Sequence, residues 1–371
     1  MRSLAPPGCH ARVANSAARG ARSVVLFATA LALAVIFAPG RAMTEEPVAL
    51  RIESFLVAPA HSPSAVVAVV NRGQAPFEGT VRVKPPEGWQ LSPGEQPVSL
   101  APGEVKRVAF IVRRGMIRES NRYPLEASVT RRGVTVTRRQ EVVTASAPYF
   151  KPTIDGATDE WKDAIPVTWT TGGKRTVVST YWNRRQFSLL VAVEDDKLIP
   201  YQEKPGPAGF DAVQLAISPQ DATTGTSPDD EADRYEFLFV STGSGTEGKC
   251  FLLAEPGMKL SEGQKARELG PLEYDDAEAA VSRRDGVTYY ECSIPFRLMR
   301  DKIRPSEGRE FRLSVLVHDP DGTGIRDWGR EAGLGPGERN RLAWSLWPGA
   351  KWGDEPPFDN KTEWGLCSSK Y

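Results

Sequence analysis

The chain has 371 residues, 40% of them hydrophobic and 25% charged, with 47 basic side chains against 47 acidic ones. That length holds two ordinary domains plus a targeting segment, and that composition excludes an intrinsically disordered chain. The charge balance also argues against a nucleic-acid binder, which needs a basic face to neutralise phosphates.

The first predicted element is a targeting signal. Residues 1–42 carry Arg2, Arg12, Arg19, Arg22 and Arg41, no acidic residue, and a run over 24–38 that is apolar but for Thr29, followed by Gly40-Arg41-Ala42. A basic start, an apolar stretch too short to span a bilayer comfortably and a small-x-small site predict a secretory signal peptide, with an uncleaved anchor as the competing reading. No Cys follows the apolar run, so a lipoprotein anchor is not indicated. Cleavage is expected after Ala42, placing the protein outside the cell or in the periplasm. Mass spectrometry of the exported chain should then give an N-terminus at Met43, and retention of residues 1–42 would contradict this. Removal of the signal leaves 42 basic against 47 acidic side chains, a net charge of −5. Cys9 leaves with it, and Cys250, Cys292 and Cys367 remain. Without CxxC or CxxCH, neither a zinc site nor c-type haem is expected; one disulfide and three buried thiols stay equally open.

Residues 46–145 read as strand after strand. "VALRIESFLV", "SAVVAVVNRG", "GTVRVKPPEGW", "VKRVAFIV", "YPLEASVTRRG" and "VTVTRRQEVV" alternate apolar with polar residues and are parted by Gly, Pro or Asn turns. About six short strands with one apolar face each require two packed sheets. Asn71-Arg72-Gly73, then "VKPPEGWQLSP" and "VSLAPGEVKRVAFIV", resemble the NEW3-type immunoglobulin-like domains, with Trp89 as the plug of the core. Arg131, Arg132, Arg138 and Arg139 are expected on hairpin and edge positions, where charge discourages edge-to-edge pairing.

The small, proline-marked stretch 144–152 is expected to be a hinge. It is followed by "PTIDGATDEWKDAIPVTW", which sets Asp155, Asp159, Glu160 and Asp163 close together between Ile154 and the tryptophans Trp161 and Trp169. Two carboxylates serve as acid and base only where their environments differ, so acids crowded in one short loop are better explained by turn chemistry around Asp155-Gly156. Strands resume through "RTVVSTYWN", "QFSLLVAVEDD", "FDAVQLAISP", "RYEFLFVST", "KCFLLAE", "AEAAVSRRDG", "VTYYECSIPF", "EFRLSVLVHDPDG" and "TEWGLC". Short helices are expected at 296–301 and 261–267, and acidic, Gly- and Pro-rich loops at 218–233 and 329–341.

The ordered set "IDG..DEW...IP", "YWNRRQFSLLVAVEDD", "FDAVQLAISP", "YYECSIPF", "LSVLVHDPDG" and a closing "TEWG" resembles the family 9 carbohydrate-binding modules and their DOMON-like relatives over residues 150–371. The expected fold class is therefore all-β, with two tandem sandwiches: immunoglobulin-like over 46–145, then a jelly-roll-type sandwich over 150–371. The resemblance implies a noncatalytic domain that holds a poly- or oligosaccharide between aromatic side chains. Stacking suits a pyranose because its C–H face matches an aromatic face, and hydrogen bonds to hydroxyls then fix orientation. Trp347 and Trp352 occupy the clamp loop before the last strand, Phe210 is the aromatic nearest the opposite clamp position at Ala208, and Asp354 lies beside Trp352. Arg326 and Trp328 in "GIRDWG" form a second candidate cluster. Glu236 falls where the family supplies a basic residue. Asp211 resembles the acid that opens a central strand, and 319–322 the family's usual turn. Trp161, Trp344 and Trp364 are assigned to the core.

No cofactor is required; the resemblance implies at most a structural calcium, to which no residues are assigned. Carbohydrate is the expected partner, with cell-surface proteins in addition, no nucleic acid and no membrane span after signal removal. A b-type haem, as in some DOMON-like relatives, is the alternative, with Met258 and His318 as axial candidates; a module that has lost its sugar is another. No pair of carboxylates is singled out for glycoside hydrolysis, and only His61 and His318 outlast export for Ser/His/Asp chemistry.

Overall fold

The computed structural model describes residues 46–203, 209–222, 227, 229–263, 267–332, 340–341, 358–359 and 361–369. The predicted signal peptide lies outside the described residues. The protein is all-β, as the alternating pattern requires, and its strands pack as sandwiches.

The first part is built of β1 (Val48–Ile52), β2 (Ser64–Asn71), β3 (Phe77–Lys84), β4 (Gln90–Ser92), β5 (Glu95–Leu100), β6 (Val105–Arg114), β7 (Tyr123–Arg131) and β8 (Val134–Val142). They pair into two four-stranded sheets, β1-β2-β6-β4 and β5-β3-β7-β8. Val67, Phe110 and Val112 from one sheet meet Val81, Leu125 and Val129 from the other. Trp89 plugs this core as expected, its ring 5.3 Å from Tyr123 and 6.1 Å from Phe55. The β7–β8 hairpin turns on Arg132 and Gly133, both at positive φ (48° and 82°), the geometry that matches the twist of two-residue hairpins. β4 and β5 escape the sequence reading because Pro93, Gly94 and Pro97 dilute their alternation.

The second part contains β9 (Ser146–Ala147), β10 (Val167–Thr171), β11 (Lys174–Trp182), β12 (Gln186–Glu194), β13 (Ala212–Pro219), β14 (Glu231–Ala232), β15 (Tyr235–Ser241) and β16 (Gly248–Ala254). It continues through β17 (Met258–Lys259), β18 (Glu278–Arg284), β19 (Val287–Pro295), β20 (Glu310–Asp319), β21 (Gly324–Asp327), β22 (Asn340–Arg341), β23 (Phe358–Asp359) and β24 (Thr362–Leu366). Among the described residues, three four-residue helices, α1 (Leu260–Gly263), α2 (Phe296–Met299) and α3 (Trp328–Glu331), sit between strands; the first two fall where the sequence suggests helix. One sheet runs β10-β11-β12-β19-β18, the other β16-β15-β13-β20-β24-β9 with β21 paired to β20. Between them lie Val178, Leu189, Val191 and Tyr290 from the first sheet and Val213, Leu215, Phe237 and Val315 from the second. Trp364 is fully buried in this core, and its Nε1 donates to Thr180 Oγ1 across the layer at 3.1 Å.

The acid-rich stretch after residue 152 is a structural turn. Residues Asp159–Asp163 form a 3-10 helix that drops Trp161 onto Tyr181, ring centroids 5.0 Å apart and planes 28° apart. Trp161 Nε1 donates to Glu291 Oε1 at 2.7 Å, and the other oxygen of Glu291 accepts from the backbone N–H groups of Asp155 (3.0 Å) and Gly156 (2.8 Å). Asp155 Oδ1 accepts from Ala157 N–H, and Glu160 Oε2 from Thr153 N–H. The acid that organises this corner is thus the fully buried Glu291, 130 residues away from Trp161 in sequence.

The expected hinge at 144–152 is corrected by the structure. Thr144, Ala145, Ser146 and Ala147 are buried, and β9 joins the edge of the second sheet parallel to β24, pairing Ser146 with Gly365 and Ala147 with Leu366. The two cores remain separate, yet polar side chains tie the sandwiches together. Arg51 of β1 makes a bidentate ion pair with Glu363 of β24 at 3.0 and 2.7 Å. Asn121 donates to the Thr144 and Pro166 carbonyls at 2.9 and 2.8 Å, and Arg122 to the Thr168 carbonyl at 2.6 Å. A short small-residue linker between two strand-rich segments reads as flexible, but here its backbone hydrogen bonds are taken up by the second sheet.

Candidate functional site

Along β13, alternation turns Val213, Leu215 and Ile217 into the core, so Gln214 stands on the opposite face of the sheet. There it meets its neighbours from the flanking strands. Gln214 Nε2 donates to Glu236 Oε2 at 3.0 Å, Gln214 Oε1 faces His318 Nε2 at 3.1 Å, and Arg234 pairs with the second oxygen of Glu236. All four side chains are buried. Burial pushes the His318 ring down to about 3, so it stays neutral at physiological pH. Lys361, half-buried just before β24, has its pKa driven well below the usual lysine range by burial and then by the positive charge of Arg234, with Glu236 opposing. The result is a row of hydrogen-bonding groups across adjacent strands, set among charges of both signs.

β22 and β23 pair antiparallel, Asn340 with Asp359 and Arg341 with Phe358. β24 starts three residues after β23 ends.

A second cluster lies where β13 begins and β20 ends. Register pairs Ala212 with His318, bringing Asp211 and Asp319 to the same end of the sheet. Side-chain oxygens of Asp211, Asp319 and Asp321 all fall within 4.8 Å of one another. Asp211 Oδ2 accepts from Ile199 N–H at 2.6 Å; Asp319 Oδ2 accepts from Thr323 N–H, Thr323 Oγ1 and Arg326 Nη2 at 2.9, 2.7 and 2.7 Å. The other oxygen of each of these two aspartates is buried without a hydrogen-bond partner. Burial, then the backbone donor, then the charges of Asp195, Asp321 and Asp319 set the Asp211 carboxyl, and the balance pushes it up to about 8. Asp319 is held below the usual carboxylate range: burial opposes its charge, but the Thr323 and Arg326 donors outweigh it.

Three of the predicted sugar-contact residues are corrected by these placements. Phe210 is 1% exposed, packed at 5.2 Å from Tyr201 and among Leu238 and Phe251 on the outer side of the second sheet. Arg326 is fully buried because Asp319 and Thr323 take its guanidinium. Trp328 is 5% exposed; it packs against Trp169 and donates to Thr362 Oγ1 at 3.0 Å. None of the three offers a free face for stacking. Trp347, Trp352 and Asp354, with Trp344, lie outside the described residues. The haem candidates sit apart: Met258 is in β17, which pairs with β14, while His318 is in β20 and bonded to Gln214. Cys250, Cys292 and Cys367 are free and buried, which resolves the open choice toward thiols. The polar row itself was only partly legible, since Glu236 is singled out by the resemblance whereas Gln214 reads as an ordinary outward strand residue. The signal for the Asp cluster was the acid before "AVQLAI" together with the acids of "DPDG".

No protein-family model matches the chain, and a search of curated proteins returns no match. Among solved structures, a family 9 carbohydrate-binding module from Caldicellulosiruptor kristjanssonii in complex with glucose matches at 15% identity and a TM-score of 0.33, over 49% of this chain and 81% of its own. A FixG-related protein from Vibrio parahaemolyticus matches at 15% identity and 0.21, over 27% of this chain and 98% of its own. A protein from Porphyromonas gingivalis W83 matches at 12% identity and 0.21, over 76% and 97%. The fold class stands on the strand pairing described above. No described helix is long and apolar enough to cross a membrane.

Proposed function

We propose that this is an exported, noncatalytic carbohydrate-binding protein: a NEW3-type immunoglobulin-like domain over 46–145 carrying a sugar-binding sandwich over 150–371. The observation that carries the reading is the two-sheet sandwich that the segment 150–371 builds, the fold expected from its sequence motifs. The ordered sequence resemblance to family 9 modules supports the same assignment. In this reading Trp352, with Trp347, stacks on a pyranose, and Asp354 supplies hydrogen bonds to hydroxyls. A carboxylate is suited to that task because its oxygens accept from hydroxyls.

Stacking contributes on the order of 1–3 kcal/mol per ring if nucleobase stacking is a guide. With Phe210 committed to packing, one clamp side is left, and a dissociation constant nearer millimolar than nanomolar is expected, about −4 to −6 kcal/mol. Trp352→Ala should weaken binding at least about fivefold, the lower end of that stacking range, while leaving the melting temperature unchanged. Titrating intrinsic fluorescence with an oligosaccharide that binds the wild-type protein, alongside a melting curve, checks both. A variant destabilised by several kcal/mol would place Trp352 in the core and remove it from the site.

A further inference from the structure

We propose that Asp211, Asp319 and Asp321 form a site for a hard divalent cation of the calcium type, which fastens the turn after β20 to the segment before β13. Three observations carry it. Oxygens of all three side chains converge within 4.8 Å. Asp211 and Asp319 are 3% and 2% exposed, and each keeps one buried oxygen with no hydrogen-bond partner. Buried polar atoms are nearly always satisfied, so a pair of orphaned carboxylate oxygens at one spot marks a missing positive partner.

The charge count agrees with a divalent ion. Three carboxylates converge, and the buried Arg326 guanidinium offsets one of them through Asp319 Oδ2. Asp195, also nearby, is partnered separately by Arg283 at 3.6 Å. With all three carboxylates ionised around a bound ion, two negative charges are left for it to neutralise. The donor set contains no Cys or His, and all-oxygen ligation selects calcium-like ions over zinc or copper. Asp321 is exposed, so the site has an open side through which water can complete a coordination shell. The turn has room for little else: a Cβ on Gly322 would collide with Asp319 Oδ1, so this glycine lets the turn wrap the carboxylate. Asp211 also holds Ile199 N–H, so an ion here would stiffen the chain on both sides of the sheet end. None of this depends on sugar binding.

The test uses the purified protein stripped with EGTA and dialysed. Titration with CaCl2 by calorimetry should give saturable binding at one equivalent, and calcium at a hundred times the dissociation constant should raise the melting temperature by several degrees. Asp321→Asn, an exposed change that leaves folding intact, should weaken binding about tenfold or more. Asp211→Asn should abolish the calcium response, and in EGTA it should melt about where wild type does, because the amide keeps the side chain's shape and can still accept from Ile199 N–H. No saturable calcium binding by wild type would overturn the proposal. So would a calcium response that survives both substitutions, which would mark diffuse attraction to an acidic surface.

Discussion

Arg51→Met is expected to destabilise the protein by about 3–5 kcal/mol, the cost of leaving a buried carboxylate without its cation. Glu363 is 8% exposed and takes two hydrogen bonds from Arg51, and Glu53, 3.6 Å from the same guanidinium, would be left facing it. Burial opposes the charge of Glu363, yet Arg51 holds its carboxyl below the usual range. The same environment keeps Glu53 above its usual value, first by burial and then by the charge of Glu363. Removing both charges at once, as Arg51→Met with Glu363→Leu, should recover most of the loss, since an apolar pair of similar volume needs no desolvation. Urea unfolding followed by tryptophan fluorescence reads both variants. If Arg51→Met changed the midpoint by less than the equivalent of about 1 kcal/mol, as exposed pairs do, the pair would be solvated and the sandwiches joined more loosely than described.

Trp161→Ala is expected to cost a further-reaching loss, about 3–5 kcal/mol for the emptied ring site, plus the penalty of an unpaired oxygen on Glu291. The ring is 5% exposed, stacked on Tyr181 and bonded to a carboxylate that also gathers the N–H groups of Asp155 and Gly156. Trp161→Phe separates the two contributions: it keeps most of the packing and loses the hydrogen bond, so it should cost about 1–3 kcal/mol. Equal losses for Phe and Ala would mean that the hydrogen bond, rather than the ring's packing, holds this corner together. A Trp161→Ala protein as stable as wild type would contradict the core assignment altogether.

The strands were legible because their alternation is local. "QFSLLVAVEDD" and "VTYYECSIPF" each display their own buried face, and they pair with one another from Gln186–Pro295 to Glu194–Val287. What the sequence hides is which distant residues meet. Arg51 and Glu363 are 312 positions apart, and β9 finds β24 through a parallel pairing that no turn signal announces. The predicted hinge failed for this reason, since small residues suit a linker and a buried edge strand equally well. Candidate binding aromatics failed in a related way: Phe210 and Trp328 stand among Gly and Asp in sequence, but a polar neighbourhood does not tell which way a ring turns. Arg326 reads as solvated until Asp319 is seen beside it. In contrast, Trp89, Trp161 and Trp364 were legible as core because each interrupts a strand or turn otherwise fixed by its neighbours.

The central claim is that the second sandwich binds saccharide without altering it. Its most direct test is a glycan array probed with the mature chain, with hits confirmed by isothermal titration and the sugar recovered and analysed afterwards. Saturable binding of at least one poly- or oligosaccharide class in the millimolar to micromolar range, with the glycan recovered intact, is the predicted result. Absence of binding to any glycan on a broad array, or recovery of shortened sugar, would contradict it.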